Sequence, residues 1–242
     1  MTGLSIVIPA LDEAEALPRL IRCINALDPQ PDEIILVDGG SVDDTVKLAE
    51  FAGFNVLHQA PAGRARQINK GVETASQDIV CVLHADTILP DDAVAIMHRT
   101  MADQKTVMAA FMAILTGPDQ TRWVTSLHNW AKTWYAPLLF RPHLFFKGCR
   151  LFFGDHAMFF RRRAFLDVGG CDPDMMVMEE ADLCVKMTGK GRMRLLNRMV
   201  ATSDRRVAAW GGLKANWVYL RVGIKWGLGV RKRLGDQYPD IR

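Results

Sequence analysis

The chain has 242 residues, 49% of them hydrophobic and 24% charged, with a net charge of +3. That balance suits one large globular domain, excludes a disordered chain, and gives no argument for nucleic acid as a partner. The five cysteines are widely spaced and form no CxxC pair, which argues against a zinc ribbon or a thioredoxin-type site and suits reduced thiols in a cytoplasmic protein. In chain order, residues 4–8 read as a strand and 15–27 as a helix with Leu17, Leu20, Ile21 and Ile24 on one face. Residues 33–37 form a second strand, and Asp43 or Asp44 caps a helix running to about Ala52. A short strand at 54–57, a helix at 66–75 and a strand at 79–83 follow, then a helix at 91–103 and a strand at 107–115. Strand–helix alternation with short connections predicts an α/β fold with a mainly parallel central sheet flanked by helices. The second half is less regular. Residues 120–135 look helical, 137–153 are aromatic, basic and poorly periodic, and 158–160 is a strand leading into a short helix at 162–168. A helix at 180–188, a strand at 193–199 and a basic, Trp-rich helix close the chain. No signal-type segment opens it, and no stretch approaches the roughly 18 uninterrupted apolar residues of a spanning helix.

The apolar run 79–83 ends abruptly in His84-Ala85-Asp86, so a buried strand delivers a carboxylate to the open edge of a sheet. Ligands of α/β proteins gather at such edges, and Mg²⁺ or Mn²⁺ on a diphosphate requires a carboxylate there. Asp86 could equally start a turn before Pro90, and this segment alone leaves both readings open. Two more strand ends carry acids: Pro9-Ala10-Leu11-Asp12-Glu13 after the first strand and Asp38-Gly39-Gly40-Ser41 after the second. Turn and helix-start preference accounts best for Asp43 and Asp44, whereas ligand contact is favoured for Asp38 between a buried strand and two glycines. Arg64 and Arg66 open a helix, where the dipole favours anions, so they suggest a bound phosphate or an acidic partner, with a solvated face as the alternative. The GxGxxG and GxxxxGK[ST] patterns are absent, as is the DxDxT nucleophile, which weakens dinucleotide, P-loop and dehalogenase-type readings.

Taken in order, SIVIPALDEAEAL, ILVDGGSVDDT, GRARQINKG and LHADTILP, then GDHAMFFRRRAFLDVGG and MEEADL, resemble the family 2 glycosyltransferases of GT-A fold, in particular a compact bacterial subgroup of mostly unassigned substrate. The resemblance covers about residues 1–206 and leaves 207–242 as an amphipathic, basic helical extension on the same domain. It implies a Rossmann-like nucleotide-diphospho-sugar transferase that moves a hexosyl group from a nucleoside-diphosphate donor to a hydroxyl acceptor with inversion. Glu13 and Asp38, with Ala10 beside them, would contact the nucleotide, and the donor side extends to Pro9, Gly40, Arg64, Arg66 and Asn69. The DxD-like motif matches His84-Ala85-Asp86, so Asp86 would bind a divalent cation, Mn²⁺ or Mg²⁺, with His84 and Ala85 along the diphosphate. Glu179 and Glu180 match the ED-type motif. Glu180 would be the general base, with Asp182 close by in a catalytic role and Glu179 facing the acceptor. Gly154 and Asp155 would face the acceptor or the donor sugar, with a strand-edge turn as the other reading of Asp155, and Arg205 and Arg206 would clamp the diphosphate or serve as surface charges.

The base role has a physical warrant. An acceptor hydroxyl must lose its proton as it attacks the anomeric carbon, and a carboxylate whose pKa is lifted by burial does this well. This chain departs from the family in placing His84 where a first Asp is usual, and Glu where Asp is usual at the base. Leu213, Trp217, Leu220, Ile224 and Leu228 form an apolar stripe at helical spacing, beside Lys214, Arg221, Lys225 and Lys232. That pattern points to peripheral contact with the inner face of the cytoplasmic membrane, with the protein body or a second subunit as other occupants, and to a lipid or polyprenol among the acceptors. Two other functions stand beside transfer. One is a non-catalytic module binding nucleotide sugars or membrane surfaces. The other is a sugar-1-phosphate nucleotidyltransferase, which lacks support because no Gly-rich basic loop follows the first strand.

Overall fold

The computed structural model describes residues 3–230. Lys232 of the predicted basic stripe therefore lies outside the described residues. β1 (Leu4–Ala10), α1 (Leu17–Asn25), β2 (Glu33–Asp38), α2 (Thr45–Phe51), β3 (Asn55–His58), α3 (Arg64–Thr74) and β4 (Ile79–Val82) come first. β5 (Thr87–Ile88), α4 (Ala93–Met101), β6 (Thr106–Thr116), α5 (Trp123–Phe140) and α6 (Pro142–Phe145) follow. After a 3₁₀ turn at Gly154–His156 come β7 (Phe159–Arg161), α7 (Arg162–Asp167), α8 (Glu179–Met187), β8 (Arg192–Ser203), α9 (Arg205–Trp210) and α10 (Gly212–Gly227).

One sheet runs in the order β3-β2-β1-β4-β7-β6-β8-β5. β3, β2, β1 and β4 are parallel, as βαβ units require. β7 then enters antiparallel between β4 and β6, so the predicted parallel layer is interrupted at the point where its next strand was expected. β8 returns parallel to β6, and the two-residue β5 pairs antiparallel with it.

Side chains alternate across the sheet and build a core on each face. Val7, Val37 and Val82 pack with Ile68 and Val72 of α3. Ile6, Ile8 and Cys81 pack with Leu20 and Ile24 of α1 and Met97 of α4. α3 comes so close that a Cβ on Gly71 would collide with Val7.

The predicted helix at 120–135 continues through Pro137 to Phe140. Proline removes the bond to the carbonyl four residues back, and here that orphan, the Thr133 carbonyl, accepts from the Leu151 N–H at 3.4 Å. The closing helix is two elements, because Gly211 between them holds φ at +79°. α10 lies along α5: Asn216 donates to the Thr125 hydroxyl at 3.0 Å, and Arg141 donates to the Gly227 carbonyl at 2.8 Å.

Candidate active site

Three strand ends meet at one edge. β1 and β2 finish in register, with Ala10 opposite Asp38. β4 ends at Val82, and the chain turns through His84, Ala85 and Asp86, with the Thr87 N–H donating to the His84 carbonyl at 3.0 Å. β1 lies between β2 and β4, so this is the switch point of the parallel layer, where crevices open in such sheets. The loops after β1 and β2 are tied together. The Asp12 N–H donates to Ser41 Oγ, the Val42 N–H to Asp12 Oδ1 and the Glu13 N–H to Thr45 Oγ1. Gln67 of α3, buried, donates at 2.7 Å to both the Ala10 and Val37 carbonyls and pins the two strand ends from below.

A cleft of about 650 Å³ opens over this edge, a volume typical of small-molecule sites. Pro9, Ala10, Glu13, Arg64 and Arg66 line it, as do His84, Ala85 and Asp86. Gly154, Asp155, Glu180, Arg205 and Arg206 complete the predicted residues that reach it. At one point charge is concentrated. Arg205 Nη2 lies 3.0 Å from Asp86 Oδ2 and 3.3 Å from each Glu13 oxygen. β8 sets this up, because Thr202 pairs with Thr87 across the antiparallel ladder and so carries Arg205 to Asp86. Burial pushes the Glu13 carboxyl up despite the guanidinium beside it. Among the described residues no group of three or more His, Cys, Asp or Glu is arranged to hold a metal ion. The hard oxygen donors that converge are Asp86 and Glu13, the type that Mg²⁺ and Mn²⁺ take together with phosphate oxygens.

Elsewhere in the cleft Glu180 is 4% exposed and lies 3.7 Å from His84 Nε2. Gly154 packs between them. A Cβ there would collide with the His84 ring and stand 2.7 Å from Glu180 Oε1. Burial pushes the Glu180 carboxyl up, but the His84 imidazole and the Arg64 guanidinium more than offset it, and the group ends below the ordinary glutamate range. The upward shift expected of the base falls on its neighbour instead. Burial and the charge of Glu180 raise Glu179. Met178 starts α8 at φ +67°, a strained conformation of the kind that collects at functional sites, and so sets both glutamates in the first turn.

Several predicted residues do not line the cleft. Asp182 is two residues, about 200° of helix, from Glu180, and is buried with Lys186 at 3.4 Å, so its catalytic assignment is corrected. Glu179 is fully buried against Arg64 at 3.4 Å and does not face an acceptor. Asp38 turns back on its own loop, accepting from the Gly40 and Ser41 N–H groups and lying 3.3 Å from His58 Nδ1. Gly40, at φ +102°, makes that turn and does not line the cleft. Burial pushes Asp38 up, and these bonds bring it below the usual carboxylate range. Asn69 clamps Cys171, donating to its carbonyl and accepting from its N–H, both at 2.8 Å. Arg66 and Arg64 find their acidic partners within the chain, in Asp174 and Glu179.

Lys132 and Asn129 of α5 also line the cleft and were not singled out from the sequence. Lys132 sits 3.7 Å from the centre of the Phe153 ring, and burial pulls its pKa down to about 8 against the pull of Asp155. Asn129 donates to Asp155 at 2.6 Å and to the buried His156 at 3.1 Å. The visible signal for Lys132 was its being the lone charge in an otherwise uncharged 18-residue helix.

A family model described as Glycosyl transferase family 2 matches residues 5–169. The poly-beta-1,6-N-acetyl-D-glucosamine synthase of Staphylococcus aureus (strain COL) is 27% identical over 189 residues, covering 75% of this chain and 45% of that protein. The chain thus spans less than half the length of that relative. Among solved structures, a mannosyltransferase from Pyrobaculum calidifontis in complex with GDP-Man and Mn²⁺ superposes with a TM-score of 0.66 at 15% identity, over 100% of this chain and 66% of that one. Glucosyl-3-phosphoglycerate synthase from Mycobacterium tuberculosis, in complex with Mn²⁺, UDP and glucosyl-3-phosphoglycerate, superposes with a TM-score of 0.62 at 18% identity, over 96% and 82%. At such identities the likeness is one of fold, and that fold is GT-A.

Proposed function

The chain belongs to glycosyl transferase family 2, and from that membership we propose that it moves a sugar from a nucleoside-diphosphate donor to a hydroxyl acceptor with inversion. The observation that carries this reading is Glu180: a buried carboxylate at the cleft wall, held ionised by His84 and Arg64. Such a group is free to accept the proton of an attacking hydroxyl, with its base strength set by how far burial opposes His84 and Arg64. At the acidic end of the cleft, Asp86 with Glu13 would hold a divalent cation of the Mg²⁺ or Mn²⁺ class. When bound, that cation supplies charge neutralisation for the departing diphosphate. Arg205 and Arg206 add fixed positive charge beside it. Asp155, with Lys132 and Asn129, offers polar contacts to the acceptor. The acceptor class favoured by the aromatic and basic surroundings is a lipid or polyprenol, and the site of action is the cytoplasmic side of a membrane.

The test is a pair of variants in the full chain. Glu180→Gln should retain the thermal shift given by a nucleoside diphosphate with Mn²⁺ and lose transfer by about 100- to 10,000-fold. Asp86→Asn should lose the Mn²⁺-dependent part of that shift. Unchanged transfer in Glu180→Gln would remove the base from the reading. A wild-type chain that binds nucleotide sugar and turns over none would make it a binding module.

A further inference from the structure

α5 is unusual for a helix on a protein surface. Its solvent side carries Trp123, Val124, Leu127, Trp130, Leu138 and Leu139, with Trp123 67% and Val124 79% exposed. Its single charge, Lys132, lines the cleft instead. Beside it, α10 buries Ala215, Val222 and Trp226 and turns the opposite stripe outward, with Leu213 93% and Trp217 64% exposed. Between α5 and α6, Trp130, Trp134, Leu138 and Phe145 line an almost wholly apolar groove of about 310 Å³.

Charge selects the occupant. Residues 120–153 and 205–230 carry five Arg or Lys each and no Asp or Glu. Part of that charge is matched from elsewhere, Arg122 by Asp204 and Arg205 by Glu13 and Asp86. Lys147, Lys214 and Arg221 stand exposed. Tryptophan and leucine flanked by cations fit the headgroup region of a bilayer containing anionic lipid. A second copy of the chain fits poorly, because a two-fold contact would set the same cations against one another. No helix among the described residues is long and apolar enough to cross a membrane.

We propose that α5 and α10 form a platform that seats the protein on an anionic bilayer surface, with the apolar faces in the headgroup layer. The docking goes beyond sugar transfer and stands without it. The same two helices wall the cleft through His128, Asn129 and Lys132 on α5 and Tyr219 and Val222 on α10. A membrane-borne acceptor would therefore reach the cleft along the docked surface.

The experiment is co-sedimentation of the full chain with vesicles of equal parts phosphatidylglycerol and phosphatidylcholine, against pure phosphatidylcholine. The wild type should bind the anionic vesicles at least tenfold more tightly, and salt should weaken that binding. Leu127→Glu and Trp217→Glu, both at exposed positions, should each weaken it about tenfold or more. Their thermal midpoints and nucleotide-induced shifts should stay at the wild-type values, which separates loss of docking from loss of fold or of the donor site. Equal binding to both vesicle types would overturn the proposal. So would unimpaired binding by both variants, or a concentration-dependent dimer that Leu127→Glu dissolves.

Discussion

The two glutamates at the start of α8 show how one residue's place decides its chemistry. Glu179 and Glu180 are neighbours in sequence, both buried, and pushed in opposite directions. Burial raises both, but His84 and Arg64 bring Glu180 down, whereas in Glu179 burial and the charge of Glu180 outweigh the Arg64 guanidinium at 3.4 Å. A carboxyl whose folded pKa is raised binds its proton more tightly when folded. The stability it lends is present below its unfolded pKa of about 4.5 and is lost as pH climbs through the folded value. Glu179→Gln imitates the protonated form, so its thermal midpoint should fall less than that of the wild type between about pH 5 and about pH 9, as scanning calorimetry at the two ends would read. A sequence shows that acids occur here but not which one burial and charge single out. Asp38 makes the same point from the other side. Its place at a strand end was legible, yet its oxygens serve the turn at Gly40 and Ser41. Gln67 was legible in principle, as a polar residue on the apolar face shared by Ile68 and Val72.

At the scale of elements, the parallel half of the sheet and its helices followed from apolar periodicity, because β1 to β4 are locally patterned and joined by short turns. β7 was recognised as a strand, but its antiparallel insertion between β4 and β6 depends on partners far away in sequence. The extension of α5 through Pro137 was hidden for the same reason, since the carbonyl that proline orphans is satisfied by Leu151. The 3₁₀ turn at Gly154–His156 bears directly on the proposed catalytic geometry. Gly154 is wedged against His84 and Glu180, so Gly154→Ala must displace one or both. Overpacking of this kind costs about 1–3 kcal/mol. The expected result is a lowered thermal midpoint with a fall in kcat of about tenfold or more, and with donor affinity changed far less. A drop in donor affinity alone would mean that Gly154 supports the donor rather than the base.

The whole molecule is tied together at Arg205, which joins α9 at the end of β8 to Glu13 after β1 and Asp86 after β4. Arg205→Ala leaves two partly buried carboxylates facing each other. Partial exposure discounts the cost of breaking a buried pair to about 1–2 kcal/mol at neutral pH. Glu13 already has a raised pKa and protonates readily as the pH falls, so urea unfolding should show the gap to wild type narrowing toward about pH 4. This ion pair also has a consequence in time. Glu13 and Arg205 are 192 positions apart in the chain. A ribosome adding about 5–20 residues per second makes the second roughly 10–40 s after the first. During that interval the early strands can close their parallel layer while its acids wait without their cation. The acidic end of the cleft is therefore finished only once β8 and Arg205 have been made, well after the parallel strands that carry its acids.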